Sequence, residues 1–398
     1  MSIEYLPVGI ACNLQCGYCY QDPMRNAGNI SVPRDWERAK VQLMREGSDF
    51  ALFGGEPLLA PIEHIEEVLK FGLEQFGRNG IQTNGSLITD EHIALFKRYR
   101  TYVGISVDGP GELNDARKMG SETGVATART ESAIAKLCAA GLPPSLIVTL
   151  HDWNAGTDRA LAHMTNWMQK LQKMGIKYVN LHTLEKEACH NGLEMSQAKT
   201  IDAFVHFYEF SKVSKLDIMP FNDIARLLTE QNPHVSCVWN NCDPLTTAAV
   251  RGVGPDGTQS NCGRTNKDGI NWVKADTPGN ERFLVLQQVP QQFGGCKDCR
   301  YLNLCKGQCP GTAIDGDWRN RTADCELWYH LFTIIEKDLG ARVRHQVFQD
   351  ATHDASSHGD AQHGDSHGDS HGDGHGDVPH GDGHGDSDER GIPVVWRD

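Results

Sequence analysis

The sequence predicts an α/β fold built on a parallel sheet, followed by a small cysteine-rich region and an irregular tail. Short apolar runs alternate with helical patterns from about residue 3 to residue 184. Eight of the 13 cysteines then fall between Cys237 and Cys325, and after about Gln349 the chain becomes rich in His, Gly and Asp. With 398 residues and 39% hydrophobic content, the chain is long and apolar enough to form a packed core.

Six apolar runs in the first half of the chain predict strands, at residues 5–10, 50–53, 80–83, 102–107, 145–150 and 178–181. Helical patterns separate them, for example at residues 61–76 and 130–140. A repeated strand-then-helix order predicts a parallel sheet with right-handed crossovers.

Charge and hydropathy exclude several classes of protein. The net charge is −14, but residues 351–398 hold 11 acids against 2 bases, so −9 of it belongs to the tail. There is no Lys/Arg-rich stripe, which disfavours a nucleic-acid partner. Residues 1–10 do not resemble a signal peptide, and no run of 18 apolar residues predicts a membrane span. We therefore expect a cytoplasmic protein whose cysteines bind metal.

Cys12, Cys16 and Cys19 are spaced C-x3-C-x2-C on one short segment. Three thiolates so placed can bind three irons of a [4Fe-4S] cluster and leave the fourth iron open for a substrate or cofactor. Zinc is the alternative. Zinc loops usually add a second Cys or His pair nearby, and none follows within about a hundred residues.

This spacing, with an aromatic residue at Tyr18, resembles the radical S-adenosylmethionine (SAM) superfamily. The resemblance implies a partial (β/α)6 barrel, open on one side. It also implies that the open iron chelates SAM and that cluster-driven cleavage of SAM gives a 5′-deoxyadenosyl radical, which abstracts a hydrogen atom from a substrate. The cofactors supply this chemistry, and the protein directs it.

Three polar motifs end predicted strands, where sites of parallel sheets lie. Gly54-Gly55-Glu56-Pro57 resembles the family motif that holds the SAM amino group. Thr83-Asn84-Gly85 and Ser106-Val107-Asp108-Gly109-Pro110 also resemble family patterns. By resemblance, Ser106 and Arg129 would contact the ribose and carboxylate of SAM. An ordinary strand-to-helix turn is the alternative for any one motif, but their order after the cysteine loop favours the cofactor interpretation.

The later cysteines reproduce the pattern of a SPASM domain, the auxiliary-cluster extension of radical SAM enzymes that modify peptides and proteins. Two closed four-iron clusters need eight thiolates, and Cys237 supplies the eighth. The resemblance implies a first auxiliary cluster on Cys237, Cys242, Cys262 and Cys309. It implies a second on Cys296, Cys299, Cys305 and Cys325.

Other features receive structural or open interpretations. Gly252, Gly254 and Gly257 match G-x-G-x-x-G, but no predicted helix follows, so we predict a turn between strands. We expect Cys138 to be a core residue and Cys189 to be structural or incidental. The tail, with seven His-Gly-Asp repeats, is predicted to be disordered. Three interpretations of the tail stay open. It is a solvated segment without a specific role, it binds transition metals, or it is or mimics a peptide substrate.

We therefore expect a radical SAM barrel over residues 1–190, connecting helices over 191–232, a SPASM domain over 233–345 and the tail over 346–398. The expected function is maturation of a ribosomally made peptide by a carbon-carbon or thioether cross-link.

The runner-up is oxidation of a sulfatase Cys or Ser, although sulfatase maturases carry Asp where Gly263 stands. The third candidate function is metal binding or electron transfer without catalysis. Expected partners are a peptide or protein substrate, a flavodoxin or ferredoxin and a separate leader-peptide-binding protein. The sequence assigns no catalytic acid or base.

Overall fold

A nine-stranded sheet organises the computed structural model, which describes residues 2–28, 32–120, 124–185, 192–231, 233–246, 250–265 and 279–340. These residues belong to one compact unit. The tail and Cys189 lie outside the described residues, and so do the predictions made for them.

Eleven strands form among the described residues: β1 Ser2–Tyr5, β2 Gln15–Cys16, β3 Phe50–Leu52, β4 Gly80–Thr83, β5 Tyr102–Ser106, β6 Arg117–Lys118, β7 Ser145–Leu150, β8 Tyr178–Thr183, β9 Asp217–Met219, β10 Val250–Val253 and β11 Gln259–Asn261. The sheet order is β11-β10-β1-β3-β4-β5-β7-β8-β9, and β2 pairs with β6 separately. Every pair in the large sheet is parallel except β10 with β11. The predicted α/β class with a parallel sheet is confirmed.

The six predicted strands correspond to neighbouring strands of the sheet, but the first prediction was placed too late. β1 ends at Tyr5, and residues 6–10 form turns. Pro7 lacks the N–H that a strand ladder needs, and Gly9 has φ +61°, which turns the chain toward the cysteine loop.

Three further strands extend the sheet beyond the prediction. β9 interrupts the region predicted as connecting helices, and β10 pairs with β1 in parallel. The sheet therefore continues across the predicted boundary at residue 233, and the domain boundaries stay a prediction. The predicted turn after Gly252 is confirmed, since Gly254 and Thr258 close it between β10 and β11.

The helices cover the sheet and close the cysteine-rich region: α1 Asp22–Asn26, α2 Trp36–Glu46, α3 Ile62–Phe76, α4 Asp90–Arg98, α5 Val125–Ala139, α6 Asp152–Ala155, α7 Asp158–Lys173, α8 Gln197–Ser211, α9 Phe221–Thr229, α10 Glu281–Gln288, α11 Leu302–Cys305 and α12 Cys325–Leu339. Phe204 and Phe207 of α8 are fully buried, as their spacing predicted. Half-buried Cys138 packs against the main core.

Successive side chains of β1 point to opposite faces of the sheet, one facing the hydrophobic core and the other facing a cavity. Ile3 and Tyr5 are buried in the core, where Tyr5 packs against Trp36 and Phe50. Each large apolar side chain buried there stabilises the fold by roughly 1.5–3 kcal/mol. Glu4, between them, points to the other face of the sheet, because successive strand residues alternate. That face lines a cavity.

Candidate functional site

The cavity has a volume of about 290 Å³ and lies where the strands end. Phe53 follows β3, Asn84 follows β4, and Ser106 ends β5, and all three line it. Seven of the predicted cluster cysteines line the same cavity: Cys12, Cys16, Cys19, Cys237, Cys242, Cys262 and Cys309. The N-terminal and C-terminal cysteine sets thus meet across one space.

The N-terminal cysteines are held on a loop by β2 and by α1. Cys16 pairs with Arg117 across β2 and β6. The Leu14 amide donates to Cys12 Sγ at 3.4 Å, and Arg25 Nη2 donates to Cys19 Sγ at 3.1 Å. Burial raises the pKa of Cys16 to about 12, so the bare site favours thiols, and a bound cation would favour thiolates. This donor set, with N–H donors to sulfur, fits an iron-sulfur cluster.

Gly54 and Gly55 line the cavity and also pack against the cysteine loop. A Cβ on Gly55 would lie 2.1 Å from the Ala11 carbonyl oxygen, and one on Gly54 would lie 2.3 Å from that of Gly9. The Gly55 amide donates to Gly9 O at 3.1 Å. These glycines therefore allow the motif to hold the base of the loop that carries Cys12, in addition to facing the cavity.

Glu56, an expected SAM contact, is not among the residues that line the cavity, and its cofactor role stays a prediction. Its side chain is fully buried and accepts hydrogen bonds from the Leu58 amide at 3.0 Å, Thr83 Oγ1 at 2.7 Å and the Asn84 amide at 2.8 Å. Burial raises the pKa of this carboxyl, although the three donors oppose that effect. Glu56 thus fixes the end of β4 next to the glycine motif.

Tyr18 and Ser106 line the cavity, and their contacts with SAM stay predictions. Tyr18 Oη donates to Asp108 Oδ2 and accepts from Arg117 Nη1 at 2.7 Å. Ser106 Oγ accepts from Gln82 Nε2 at 2.8 Å. Burial works to raise the pKa of Asp108, but the charge of Arg117 and the hydrogen-bond donors of Asp108 bring the pKa below its ordinary value, so Asp108 is an anion.

Arg129, expected from the resemblance to contact SAM, lies outside the cavity lining, and its cofactor role stays a prediction. Arg129 is exposed on α5, does not line the cavity and donates only to Met119 Sδ at 3.6 Å among the described residues. Arg117 is the arginine of this segment that lines the cavity, beside Cys16 and Tyr18. The weak signal available for Arg117 was its place as a basic residue shortly after the Ser106 motif.

The eight C-terminal cysteines gather into two groups of four. Burial raises the pKa of Cys237, and the neighbouring thiolates that add to this effect are Cys242, Cys262 and Cys309. Burial likewise raises the pKa of Cys305, next to Cys325, Cys296 and Cys299. We name these the first and second quartets. They correspond to the two ligand sets that the resemblance implied, and their role as ligands stays a prediction.

Across the residues that the structure describes, no three Cys, His, Asp or Glu side chains converge tightly enough to bind a single metal ion. A four-iron cluster attaches each thiolate to a different iron, so it requires wider sulfur spacing than zinc. The four cysteines of each quartet match the ligand count of a closed four-iron cluster.

A charged group that the sequence analysis missed lies between the two cysteine sets. Arg264 Nε pairs with Glu185 Oε1 at 2.5 Å, and its Nη2 lies 3.1 Å from His182 Nδ1. Burial raises the pKa of Glu4 to about 7, while the Gly263 amide and Arg264 oppose the rise. All of these residues line the cavity. An acid within the apolar β1 was the signal available for Glu4.

Comparisons with known proteins agree with this geometry. The profile of the Radical SAM superfamily matches residues 6–165. A serine-type anaerobic sulfatase-maturating enzyme of Bacteroides thetaiotaomicron is 23% identical over 368 residues, which cover 80% of this chain and 84% of that protein.

Two solved structures share the fold. The structure titled native anSMEcpe with bound AdoMet and Cp18Cys peptide matches with a TM-score of 0.67 and 20% identity, covering 85% of this chain and 97% of that one. Streptococcus suis SuiB bound to the precursor peptide SuiA matches with a TM-score of 0.51 and 14% identity, covering 82% of this chain and 75% of that one.

The matched domain and the fold define a radical SAM enzyme, which uses SAM and [4Fe-4S] clusters, auxiliary clusters among them. Within that class, the chain is related to the anaerobic sulfatase-maturating enzymes. Among the residues described, no helix is long and apolar enough to cross a membrane.

Proposed function

We propose that this enzyme oxidises or cross-links a side chain of a peptide or protein substrate inside the shared cavity. The observation that carries the proposal is that the three N-terminal cysteines and the first quartet line one space of about 290 Å³. Bound SAM and its cluster would supply a radical that removes a hydrogen atom, and the first auxiliary cluster would accept an electron from the substrate.

The protein's own residues divide the cavity into two sides. Arg117 lies beside Tyr18 and Cys16. The side chains of Arg117 and Tyr18, with Ser106, would orient SAM. Arg264 and Glu4 lie toward the first quartet, where the substrate side chain would enter. The geometry makes Glu4 our candidate for the group that takes the proton released when the substrate is oxidised, because its pKa of about 7 suits a base at neutral pH.

A cross-link is our leading candidate for the product. Sulfatase maturases carry Asp directly after the cysteine that corresponds to Cys262. In this chain Gly263 occupies that position. A Cβ on Gly263 would lie 2.9 Å from the Tyr20 ring, so this chain has no room there for a carboxylate side chain in the present arrangement. The amide of Gly263 instead donates to Glu4.

Sulfatase maturation is the second candidate, and the names of the relatives favour it. Both the serine-type enzyme of Bacteroides thetaiotaomicron and the cysteine-type enzyme of Clostridium perfringens are sulfatase-maturating enzymes by name. The related anSMEcpe and SuiB structures each contain a peptide according to their titles. A peptide or protein substrate is common to both candidates.

The test uses anaerobic, cluster-reconstituted enzyme with SAM and a reductant. One set of peptides carries the sulfatase Cys or Ser, and the other consists of small peptides encoded beside this gene. We expect the reaction to form 5′-deoxyadenosine and a peptide that has lost two hydrogen atoms. The peptide should not react with a reagent that detects aldehydes, and this combination identifies a cross-link. A product that reacts with the same reagent, formed from the sulfatase peptide alone, would establish the second candidate instead.

Three further expectations stay predictions. They are the electron donor, flavodoxin or ferredoxin, the separate leader-peptide-binding protein and the cytoplasmic location.

A further inference from the structure

Arg282, in α10, is fully buried although it carries a permanent charge. Arginine remains protonated in proteins, so this side chain brings a cation into the interior of the cysteine-rich region. Placing a charge there is costly unless partners compensate it. The position of the compensating groups therefore indicates the function of the residue.

The guanidinium donates its hydrogen bonds to backbone carbonyl oxygens. Nε donates to Trp318 O at 2.7 Å, Nη1 donates to Gln308 O at 2.7 Å, and Nη2 donates to Asn320 O at 2.8 Å and to Gly307 O at 3.1 Å. The bonds to Gly307 and Gln308 hold the segment between Cys305 and Cys309, and these two cysteines belong to different quartets. The other two bonds hold the loop that precedes Cys325.

Carbonyl oxygens satisfy the N–H groups but do not neutralise the charge. Within the described part of the chain, no ion pair joins the guanidinium to a carboxylate, and the bond from Arg282 to Asp243 Oδ2 comes from the backbone amide, at 3.2 Å. Thiolates of both quartets interact electrostatically with Arg282, namely Cys309 and Cys242 of the first quartet and Cys296 and Cys305 of the second. Nη1 also lies 3.5 Å from the backbone oxygen of Cys242. Arg282 is thus close to both quartets.

We propose that Arg282 is the shared counter-charge of the two auxiliary clusters and raises the reduction potentials of both. Four thiolates outweigh the positive charge of a four-iron core, so each centre is an anion that becomes more negative when it gains an electron. A fixed cation nearby stabilises the reduced form more than the oxidised form. Net charge and hydrogen bonding around a cluster are among the factors that set its potential. The inference rests on the assignment of the quartets to clusters.

The test measures midpoint potentials by anaerobic redox titration, with electron paramagnetic resonance as the readout. The full-length chain with Cys12, Cys16 and Cys19 replaced by Ala serves as background, so that only auxiliary clusters contribute. Three variants are compared with it: Arg282→Met, which removes the charge, Arg282→Lys, which keeps it, and Arg319→Met, a control at an exposed ion pair with Asp317.

We expect Arg282→Met to shift both potentials to more negative values or to lose auxiliary iron. Arg282→Lys should stay close to the background protein in both respects, and so should Arg319→Met. Full iron with unchanged potentials in Arg282→Met would overturn the proposal. Equal impairment in the Met and Lys variants would also overturn it, because the carbonyl hydrogen bonds and not the charge would then be essential. A background protein without about eight irons would instead refute the cluster assignment itself.

Discussion

Arg117 and Arg129 belong to the same segment of the chain, but their environments are opposite. Arg117 lines the cavity, donates to Tyr18 Oη at 2.7 Å and stabilises the buried carboxylate of Asp108. Arg129 is exposed on α5. The difference makes the pair a direct test of which arginine serves the cofactor.

We predict that Arg117→Ala weakens SAM binding by about 2 kcal/mol or more, roughly 30-fold, because it leaves buried charges without their cation. Arg129→Ala should bind SAM like the parent enzyme. Equilibrium binding to anaerobic, reconstituted protein measures both. Equal affinities in the two variants would contradict the assignment of Arg117.

Sequence reasoning identified residues whose chemistry is unusual and missed those that depend on tertiary contacts. The spacing of Cys12, Cys16 and Cys19 is informative by itself, because iron-sulfur sites require clustered thiolates. Arg117 reaches the cysteine loop only through the pairing of β2 with β6, and both strands have just two residues. Strands this short leave no periodic pattern in the sequence.

His64, at the start of α3, is buried among Tyr5 and Trp36, and its Nε2 lies 3.1 Å from Tyr5 Oη. Burial lowers its pKa to about 4 from the usual 6.5. Between these two pH values the unfolded chain binds more protons than the folded chain, so the free energy of unfolding rises with pH. The stability that the neutral ring provides is present above about pH 6.5 and is lost as the pH falls toward 4.

We predict that His64→Gln loses less stability than the parent between pH 7.5 and about 5.5, since each pKa unit corresponds to about 1.4 kcal/mol. His163→Gln, at an exposed position of α7, serves as the control and should follow the parent. Anaerobic thermal unfolding at the two pH values gives the comparison. An unchanged pH dependence in His64→Gln would contradict this explanation.

At the scale of elements, the loop after β3 supports the cysteine loop through close backbone packing. The sequence motif suggested that Gly55 leaves room for SAM, whereas the structure also places it against Ala11 O. A substitution there would therefore displace the segment that carries Cys12. Loss of the cluster, and not only of SAM binding, is the expected consequence.

We predict that Gly55→Ala reduces the iron content from about 12 to about 8 per chain by losing the N-terminal cluster. Gly141→Ala is the matched control, because its Cβ would meet no atom within 4 Å. Its positive φ of +78° costs only about 1–2 kcal/mol. Full iron in Gly55→Ala would show that the packing does not hold the loop.

The strand pattern was largely predictable, because six apolar runs separated by helices favour a parallel sheet. β9 has only three residues, and β10 lies in the cysteine-rich region. Neither strand was therefore predicted from the sequence. Pairing of β10 with β1 joins residues about 250 positions apart. Such a contact depends on the folded chain and has no local signature.

At the scale of the whole molecule, that pairing helps bring the two cysteine sets to one cavity. β1 leads into the N-terminal cysteine loop, and β10 and β11 lead to Cys262 of the first quartet. The sequence indicated three cysteine groups and the family that they resemble. It did not indicate that Glu4, Glu185 and Arg264 lie between two of those groups.

Reductive cleavage of SAM is the most direct test of the central claim. We predict that anaerobic, reconstituted parent enzyme forms 5′-deoxyadenosine with about 12 irons per chain. The variant with Cys12, Cys16 and Cys19 changed to Ala should keep about 8 irons and form none. Formation of 5′-deoxyadenosine by that variant, or no formation by a fully loaded parent enzyme, would contradict the account.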